Sequence, residues 1–328
     1  VSDREGSRGT TVAVVYNPVR VDVPRVRAAV EARAADIGDI DLIWLETTPD
    51  DGGQGQVRQA LERGAELVLA AGGDGTVRAV AEALRNQEAT LGILPGGTGN
   101  LLARNIGLPY SSIEEACGVA FAGVTRRIDI GVATAERADG ERTEHAFLVM
   151  AGMGIDARMI ATARPELKKR LGWVAYVESA FRALPRSKKV RVRFGIDDER
   201  ERTAHVSTIL FANCGTLPGN LELIPDSEVD DGLLDIAVLQ PATVFGWLAI
   251  WRKITWENRV LRKSALGRRI IRFTNRAGRT QLSYLRGRAV TVRLDAPEPF
   301  EIDGDGFGDV VGLDLTVDPQ GLRVRVPR

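Results

Sequence analysis

The chain is poor in the side chains that most often carry chemistry on their own. In 328 residues it has two cysteines, Cys117 and Cys214, and two histidines, His145 and His205. Two distant cysteines in apolar surroundings are not a disulfide framework, and with so few histidines there is no Cys/His zinc pattern. Both cysteines read as buried structural residues, and a reducing, cytoplasmic setting is the default expectation. Neither histidine stands in a recognisable relation to a nucleophile, which argues against a hydrolase triad. Net charge is missing as well: 44 Lys and Arg balance 44 Asp and Glu. No global attraction to nucleic acid or to an anionic membrane follows, so nucleic acid is not an expected partner and any attraction must be local. No apolar run reaches the roughly 20 residues of a membrane span. There is no fixed-period repeat and no low-complexity tract. The opening VSDREGSRG is polar and expected to be disordered, and the chain starts on Val1 rather than Met, as a fragment would.

What is present is an ordinary globular composition, 44% hydrophobic and 27% charged, in a chain long enough for two sizeable cores. Apolar, β-branched runs at residues 11–16, 41–45, 67–71 and 91–94 read as buried strands. Between them, residues 26–37, 54–64 and 76–85 have helical spacing, and a further helix starts near Gly99. Strands alternating with helices at these intervals predict βαβ units and a parallel sheet. Residues 111–121 form another predicted helix, capped by Ser111 or Ser112 with Glu114 and Glu115 in its first turn. The texture then changes to short strands, at 126–133, 145–150, 190–196, 204–213, 234–239, 269–274, 281–285, 289–294, 300–303 and 322–326. These predict an antiparallel domain, best read as a β-sandwich, interrupted by helices at 156–184 and 243–261. The expected division is an α/β domain over 10–132 and an antiparallel β-rich domain over 133–311. The segment 312–328 is expected to pack back on the first domain.

Two glycine-rich turns end consecutive strands. Gly72-Gly73-Asp74-Gly75-Thr76 follows the third, and Pro95-Gly96-Gly97-Thr98-Gly99-Asn100 follows the fourth. Glycines let backbone N–H groups approach a phosphate, and a helix from Thr76 aims its positive end at the same place. Asp74 repels phosphate, so it suits a metal ion or a proton-accepting role, or else caps a helix. Neither turn has the Gly-Lys-Ser/Thr of a Walker A loop or the GxGxxG of a dinucleotide site. In parallel sheets ligands gather beyond the carboxyl ends of strands, and Asn17, Thr47, Asp74 and Thr98 all fall there.

The segments GGDGTVRAVAEAL and LGILPGGTGNLLARNIGLP resemble the catalytic domain of the diacylglycerol kinase family, which includes sphingosine, ceramide and bacterial soluble lipid kinases. The resemblance extends to Asn17-Pro18, to Arg127-Ile128-Asp129-Ile130-Gly131, to Gly152-Met153-Gly154-Ile155-Asp156, to Asp230 through Asp235, and to Asp303-Gly304-Asp305. It implies ATP bound between the two domains, with phosphates over Gly72, Gly73, Asp74, Gly75 and Thr76. Asn17, Thr47 or Thr48, Gly97, Thr98 and Asn100 would make further nucleotide contacts. Asp74 and Asp129 would organise a catalytic Mg²⁺. The general base would come from the late acidic motif, where Asp305 stands for the family's usual Glu and Asp303 is the alternative. Leu101 replaces an acidic residue common at the second turn, as in sphingosine-kinase-like members. The resemblance also implies a structural Mg²⁺ held by Asp231, Leu233 and Glu228; a solvated acidic turn is the other reading.

The expected activity is phosphoryl transfer from ATP to a lipid hydroxyl, with diacylglycerol leading. A sphingoid or other long-chain alcohol is the alternative acceptor, and a non-catalytic nucleotide or lipid sensor is the rival of another class. An NAD kinase shares the first turn but is disfavoured by Gly152-Met153-Gly154 and Asp231-Gly232. Residues 245–269 place Trp247, Trp251 and Trp256 among seven Lys and Arg, and Lys168-Lys169-Arg170 lies near Trp173. Each reads either as a membrane-interface helix or as a packed helix with a solvated basic face. Expected partners are therefore the lipid and, transiently, the inner membrane face; a homodimer is a further expectation.

Overall fold

The computed structural model describes residues 9–154, 189–217, 221–224, 227–240 and 282–328. The helices expected at 156–184 and 243–261, the strand at 269–274 and both tryptophan-rich basic clusters lie outside the described residues, as does the Ile155-Asp156 end of its motif. By contacts the chain divides into two units, residues 1–130 with 320–328, and residues 131–319.

The first unit runs β1 (Thr10–Tyr16), α1 (Val23–Ile37), β2 (Ile40–Glu46), α2 (Gln54–Glu62), β3 (Leu67–Gly72), α3 (Asp74–Leu84), β4 (Thr90–Pro95), α4 (Leu101–Asn105) and α5 (Ile113–Ala122). The strands are parallel in the order β4-β3-β1-β2. Every residue of β3 and β4 is buried, so both read as unbroken apolar runs rather than alternations. Side chains from β1, β3 and β4 pack with Val26 and Val30 of α1 and with Ala116, Cys117 and Ala120 of α5. Neither Cys117 nor Cys214 is in a disulfide, and both are buried; burial pushes the Cys117 thiol up to about 11.

Two helix starts, those of α1 and α5, follow their capping residues. Asp22 accepts the Arg25 N–H at 3.2 Å, and Ser112 accepts the Glu115 N–H at 3.1 Å. Glu114 forks with Arg25 at 2.8 and 2.9 Å, tying α5 to α1, and this fork holds its carboxyl near pH 2. The chain leaves the first unit along β5 (Val124–Glu136) and re-enters it on the last residues of β16 (Asp305–Val326). There Val324 pairs in parallel with Leu91 of β4. The Gln320 N–H donates to Asp129 Oδ1 at 2.7 Å.

The second unit contains β6 (Arg142–Phe147), β7 (Met150–Met153), β8 (Val190–Ile196), β9 (Arg202–Val206), β10 (Thr208–Ala212), β11 (Thr216–Leu217), β12 (Leu221–Glu222), β13 (Leu234–Leu239), β14 (Leu282–Gly287), β15 (Ala289–Ile302) and most of β16. Its described pairings are antiparallel, in the order β14-β13-β10-β7-β15-β16, with β8 and β9 joined through β15. Two apolar layers flank β10 and β13. Ile209, Phe211, Ile236 and Val238 face one cluster, and Leu210, Ala212, Ala237 and Leu239 face the other. Period-two alternation with both faces buried explains the continuous runs TILFA and LDIAVL. The sandwich-type second domain and the parallel first domain agree with the fold expected from sequence.

Several boundaries differ: the strand expected at 145–150 is split into β6 and β7 at Leu148 and Val149. The single strand expected at 204–213 is two, because Ser207 separates β9 from β10. The strands expected at 289–294 and 300–303 are one irregular β15, with register shifts near Glu298 and Pro299. β16 begins well before residue 322, since Gly306, Gly308, Gly312 and Pro319 obscure its alternation.

Gly92 marks where α5 packs on β4: an added Cβ would lie 3.0 Å from Ala120 Cβ and 2.5 Å from Leu69 Cδ2. Gly92→Val should therefore lose about 2–3 kcal/mol in urea unfolding, overpacking outweighing the roughly 1 kcal/mol gained by stiffening the unfolded chain. A midpoint at or above wild type would show that α5 can move away without cost.

Candidate active site

Strand polarity assembles the first half of the site. Parallel pairing puts the ends of β1, β2, β3 and β4 at one edge, with Tyr16 opposite Glu46 and Ala71, and Gly72 opposite Pro95. The strand order reverses between β1 and β3, the switch point at which such sheets open a crevice. The loops carrying Asn17, Thr47, Gly72–Thr76 and Gly96–Asn100 therefore share this edge. A cavity of about 570 Å³ opens at the opposite edge, lined by Glu66, Glu88, Arg323 and Arg325, where strand polarity gives no such crevice.

The two glycine turns are interlocked. The Gly96 N–H donates to Gly72 O at 2.8 Å, and a Cβ on Gly97 would lie 3.1 Å from Gly73 Cα. Asp74 is the first residue of α3, whose N-cap is Gly73. Its carboxylate accepts the N–H groups of Asn100 at 3.0 Å and Leu101 at 2.5 Å, on the second turn. Gly99 has no Cβ where one would overlap this carboxylate. Asn100 takes a left-handed backbone, and its side-chain amide bonds both ways to Gly97, with Nδ2 donating to Gly97 O at 2.9 Å and Oδ1 accepting the Gly97 N–H at 3.3 Å. Asn100 thus braces the turn from within, while Thr98 is exposed at its crest.

The other expected contacts are mixed. Asn17 Oδ1 accepts the Val19 N–H at 3.0 Å, shaping its own loop. Thr47 is buried, and Thr48 Oγ1 accepts the Asp51 N–H at 3.1 Å. Asp129 is wholly buried, with the Gln320 N–H as the bond already described. Asp74 and Asp129 are thus engaged by backbone amides. Among the described residues no group of three or more His, Cys, Asp or Glu is arranged to hold a metal ion.

The late acidic motif is a hairpin. Asp303 and Gly304 have φ of 49° and 88°, and Ile302 pairs with Asp305. Positive φ at both central residues is the signature of a type I′ turn, which Asp-Gly favours. The Asp303 carboxylate turns inward and accepts three N–H groups: Leu148 and Val149 at 2.9 Å and Met150 at 3.0 Å. The opposite side of that segment is held by Asn213, whose Nδ2 donates to Leu148 O at 3.2 Å and whose N–H donates to Val149 O at 2.9 Å. Asp305, in contrast, is exposed at the hairpin. The two candidates for the base therefore have distinct settings: Asp303 is an anchor and Asp305 faces solvent.

The turn at Asp230–Leu233 has its own contacts. Asp231 Oδ1 accepts the Leu233 N–H at 3.0 Å, and its Oδ2 lies 3.9 Å from Arg286. Arg286 also donates to Asp235 at 2.5 Å. Burial pushes the Asp235 carboxyl up, and Arg286 pulls it back. Glu228 is exposed. Asp231 is thus held by its own turn and faces a guanidinium; the structural Mg²⁺ reading of Asp231, Leu233 and Glu228, in which Leu233 would offer its backbone oxygen, stays an expectation of the family resemblance.

Sequence reading missed Arg104, whose Nε donates to Gly99 O at 2.7 Å. It also missed Asn213. Neither sits in a glycine-rich or acidic motif, and their roles depend on backbone carbonyls that only the fold brings near.

Comparison with known proteins places these features in a lineage. Residues 11–133 match the model of the diacylglycerol kinase catalytic domain, and residues 149–266 match the YegS C-terminal NAD kinase beta sandwich-like domain. The "Probable lipid kinase YegS-like" protein of Pseudomonas aeruginosa is 30% identical over 96% of this chain and 94% of its own length. The diacylglycerol kinase of Bacillus subtilis is 30% identical over 59% of this chain. The chain spans 61% of that protein's length, and 58% of a Synechocystis relative's. A Bacillus anthracis crystal structure superposes with a TM-score of 0.73 at 20% identity, covering 99% of this chain and 98% of that one, a likeness of fold.

The two hairpin aspartates separate by stability. Asp303→Ala strands three buried N–H groups and should cost about 3 kcal/mol or more in chemical denaturation. Asp305→Ala should stay within about 0.5 kcal/mol of wild type. Equal losses would contradict the assignment of Asp303 as the anchor.

Proposed function

We propose that this chain, which belongs to the diacylglycerol kinase family of ATP-dependent lipid kinases, phosphorylates diacylglycerol to phosphatidic acid. The observation that carries this reading is the Asp74 lock. It holds two glycine turns side by side at the carboxyl edge of a parallel sheet, where their backbone amides suit a polyphosphate. The lipid oxygen attacks the γ-phosphorus of ATP in line; a new P–O bond forms, the bond to the β-phosphate bridge breaks, and ADP leaves. The hydroxyl proton passes to Asp305. Asp303 is a poor base because its oxygens already accept three amides. Mg²⁺ is read as entering with the phosphates of ATP, as part of the co-substrate.

A sphingoid or other long-chain alcohol is the second reading. It is favoured by Leu101, an apolar residue whose N–H meets Asp74 and which gives the second turn its resemblance to sphingosine-kinase-like members. Because the acceptor sits in a bilayer, the enzyme works at a membrane surface, here the inner face from the cytoplasmic side. None of the described helices is long and apolar enough to cross a membrane.

The test is transfer of labelled γ-phosphate to mixed micelles carrying diacylglycerol, a sphingoid base or a long-chain alcohol. Diacylglycerol should be the best acceptor by kcat/KM; transfer to none would leave the sensor reading. Asp305→Asn should lower kcat roughly 10²–10⁴-fold while the KM for ATP stays within about threefold. A normal kcat would remove Asp305 as the base. Asp74→Ala should abolish transfer by releasing the second turn, and substantial turnover would refute the lock.

A further inference from the structure

The glycine turns offer amides but no cation, and the carboxylate between them is negative. A triphosphate needs positive charge close by, and neither turn carries the lysine of a Walker A loop. Among the described residues, Arg104 is a cation fixed at the second turn. Arg104, in the last turn of α4, reaches back along the short helix so that its Nε donates to Gly99 O at 2.7 Å. Its guanidinium carbon lies 3.9 Å from the centre of the Tyr110 ring, stacked on it. It is half-buried, and among the described residues no carboxylate pairs with it. Arg25 and Arg323 of the same unit, by comparison, sit on glutamates.

These contacts engage one edge and one face of the guanidinium. No hydrogen bond or ion pair among the described residues engages its two terminal nitrogens, and the Gly99 bond and the Tyr110 ring fix the plane of the group. Leaving a partly desolvated cation without a counter-charge is unfavourable unless an anion completes it. A planar fork with preset orientation is the geometry that recognises phosphate oxygens. We infer that Arg104 is the phosphate-binding cation of the nucleotide site, pre-oriented by Gly99 and Tyr110. This rests on the reading of the glycine turns as the ATP site. It adds a residue that selects the charged polyphosphate over the nucleoside.

The experiment is calorimetric titration of the whole chain, without lipid, using MgATP, MgADP and adenosine. Arg104→Ala should weaken MgATP binding about 10- to 100-fold and MgADP comparably, leaving adenosine affinity within twofold. Arg104→Gln keeps a donor for Gly99 O but not the charge, and should still lose about tenfold for MgATP. Arg104→Lys should recover part of the loss. MgATP affinity unchanged in both Ala and Gln variants overturns the inference. So does a parallel fall for adenosine, which would mean that the loop has merely collapsed. Should the Ala variant not fold, the Gln variant decides alone. Wild-type protein that binds no MgATP would instead overturn the nucleotide-site reading itself.

Discussion

The Asp74 carboxylate receiving the N–H groups of Asn100 and Leu101 is the contact on which the arrangement of the site turns. A glycine turn is a poor binding surface by itself, because the freedom that lets its amides approach a ligand also lets them scatter. Here the first turn reaches across with its one charged side chain and takes hold of the second. The bond is charge-assisted and runs from one strand end to its neighbour, so both turns inherit the rigidity of β3 and β4. Gly99 permits it by lacking a side chain where the carboxylate lies. A glycine-rich sequence thereby becomes a surface of fixed amides rather than a flexible loop.

The same device recurs in the second unit with different parts. Asp303 is also an aspartate whose oxygens go to consecutive backbone amides, and its own backbone is held left-handed by a two-residue turn. Asn213 grips the carbonyls of the segment whose amides Asp303 holds. Asp129, wholly buried, does likewise for Gln320 where the chain returns to the first unit. Three of the four carboxylates with an expected catalytic role thus have a positional task that is visible in their bonds. This division of labour is chemically sensible. A carboxylate saturated by amide donors fixes backbone, whereas the exposed Asp305 has room to meet a substrate proton.

Much of the fold was legible because burial on both faces leaves unmistakable apolar runs. β1, β3, β4, β10 and β13 each stand out in this way, the helices between the early strands show in their apolar spacing, and α5 shows in its Ser112 cap. What escaped was irregular. β16 was nearly invisible because its glycines and Pro319 interrupt the alternation, and β15 because its register shifts near Pro299. Of the site, the strand-end loops could be placed from sequence, since parallel order fixes their edge. The partners of Asp74, Asp303 and Asp231 could not. Apart from the Leu233 amide beside Asp231, each partner is a backbone amide or an arginine 26 to 155 positions away in sequence, and nothing in residue type or spacing encodes such a meeting.

The acidic turn at Asp231 shows why motif and geometry must be weighed separately. Two aspartates, a glycine and a nearby glutamate are the composition of a divalent-cation loop. Yet Asp231 turns one oxygen to its own Leu233 amide and faces Arg286 with the other, while Asp235 takes the short bond to the same guanidinium. Two carboxylates around one arginine already balance much of their charge, and Asp235 is nearly buried, so the pair favours a compact, partly desolvated ion cluster. In the described contacts the loop is the charged lead-in to β13, with Arg286 on β14 binding Asp235 at the start of β13. Its acids then serve the register of those strands, much as Asp74 serves the register of the glycine turns.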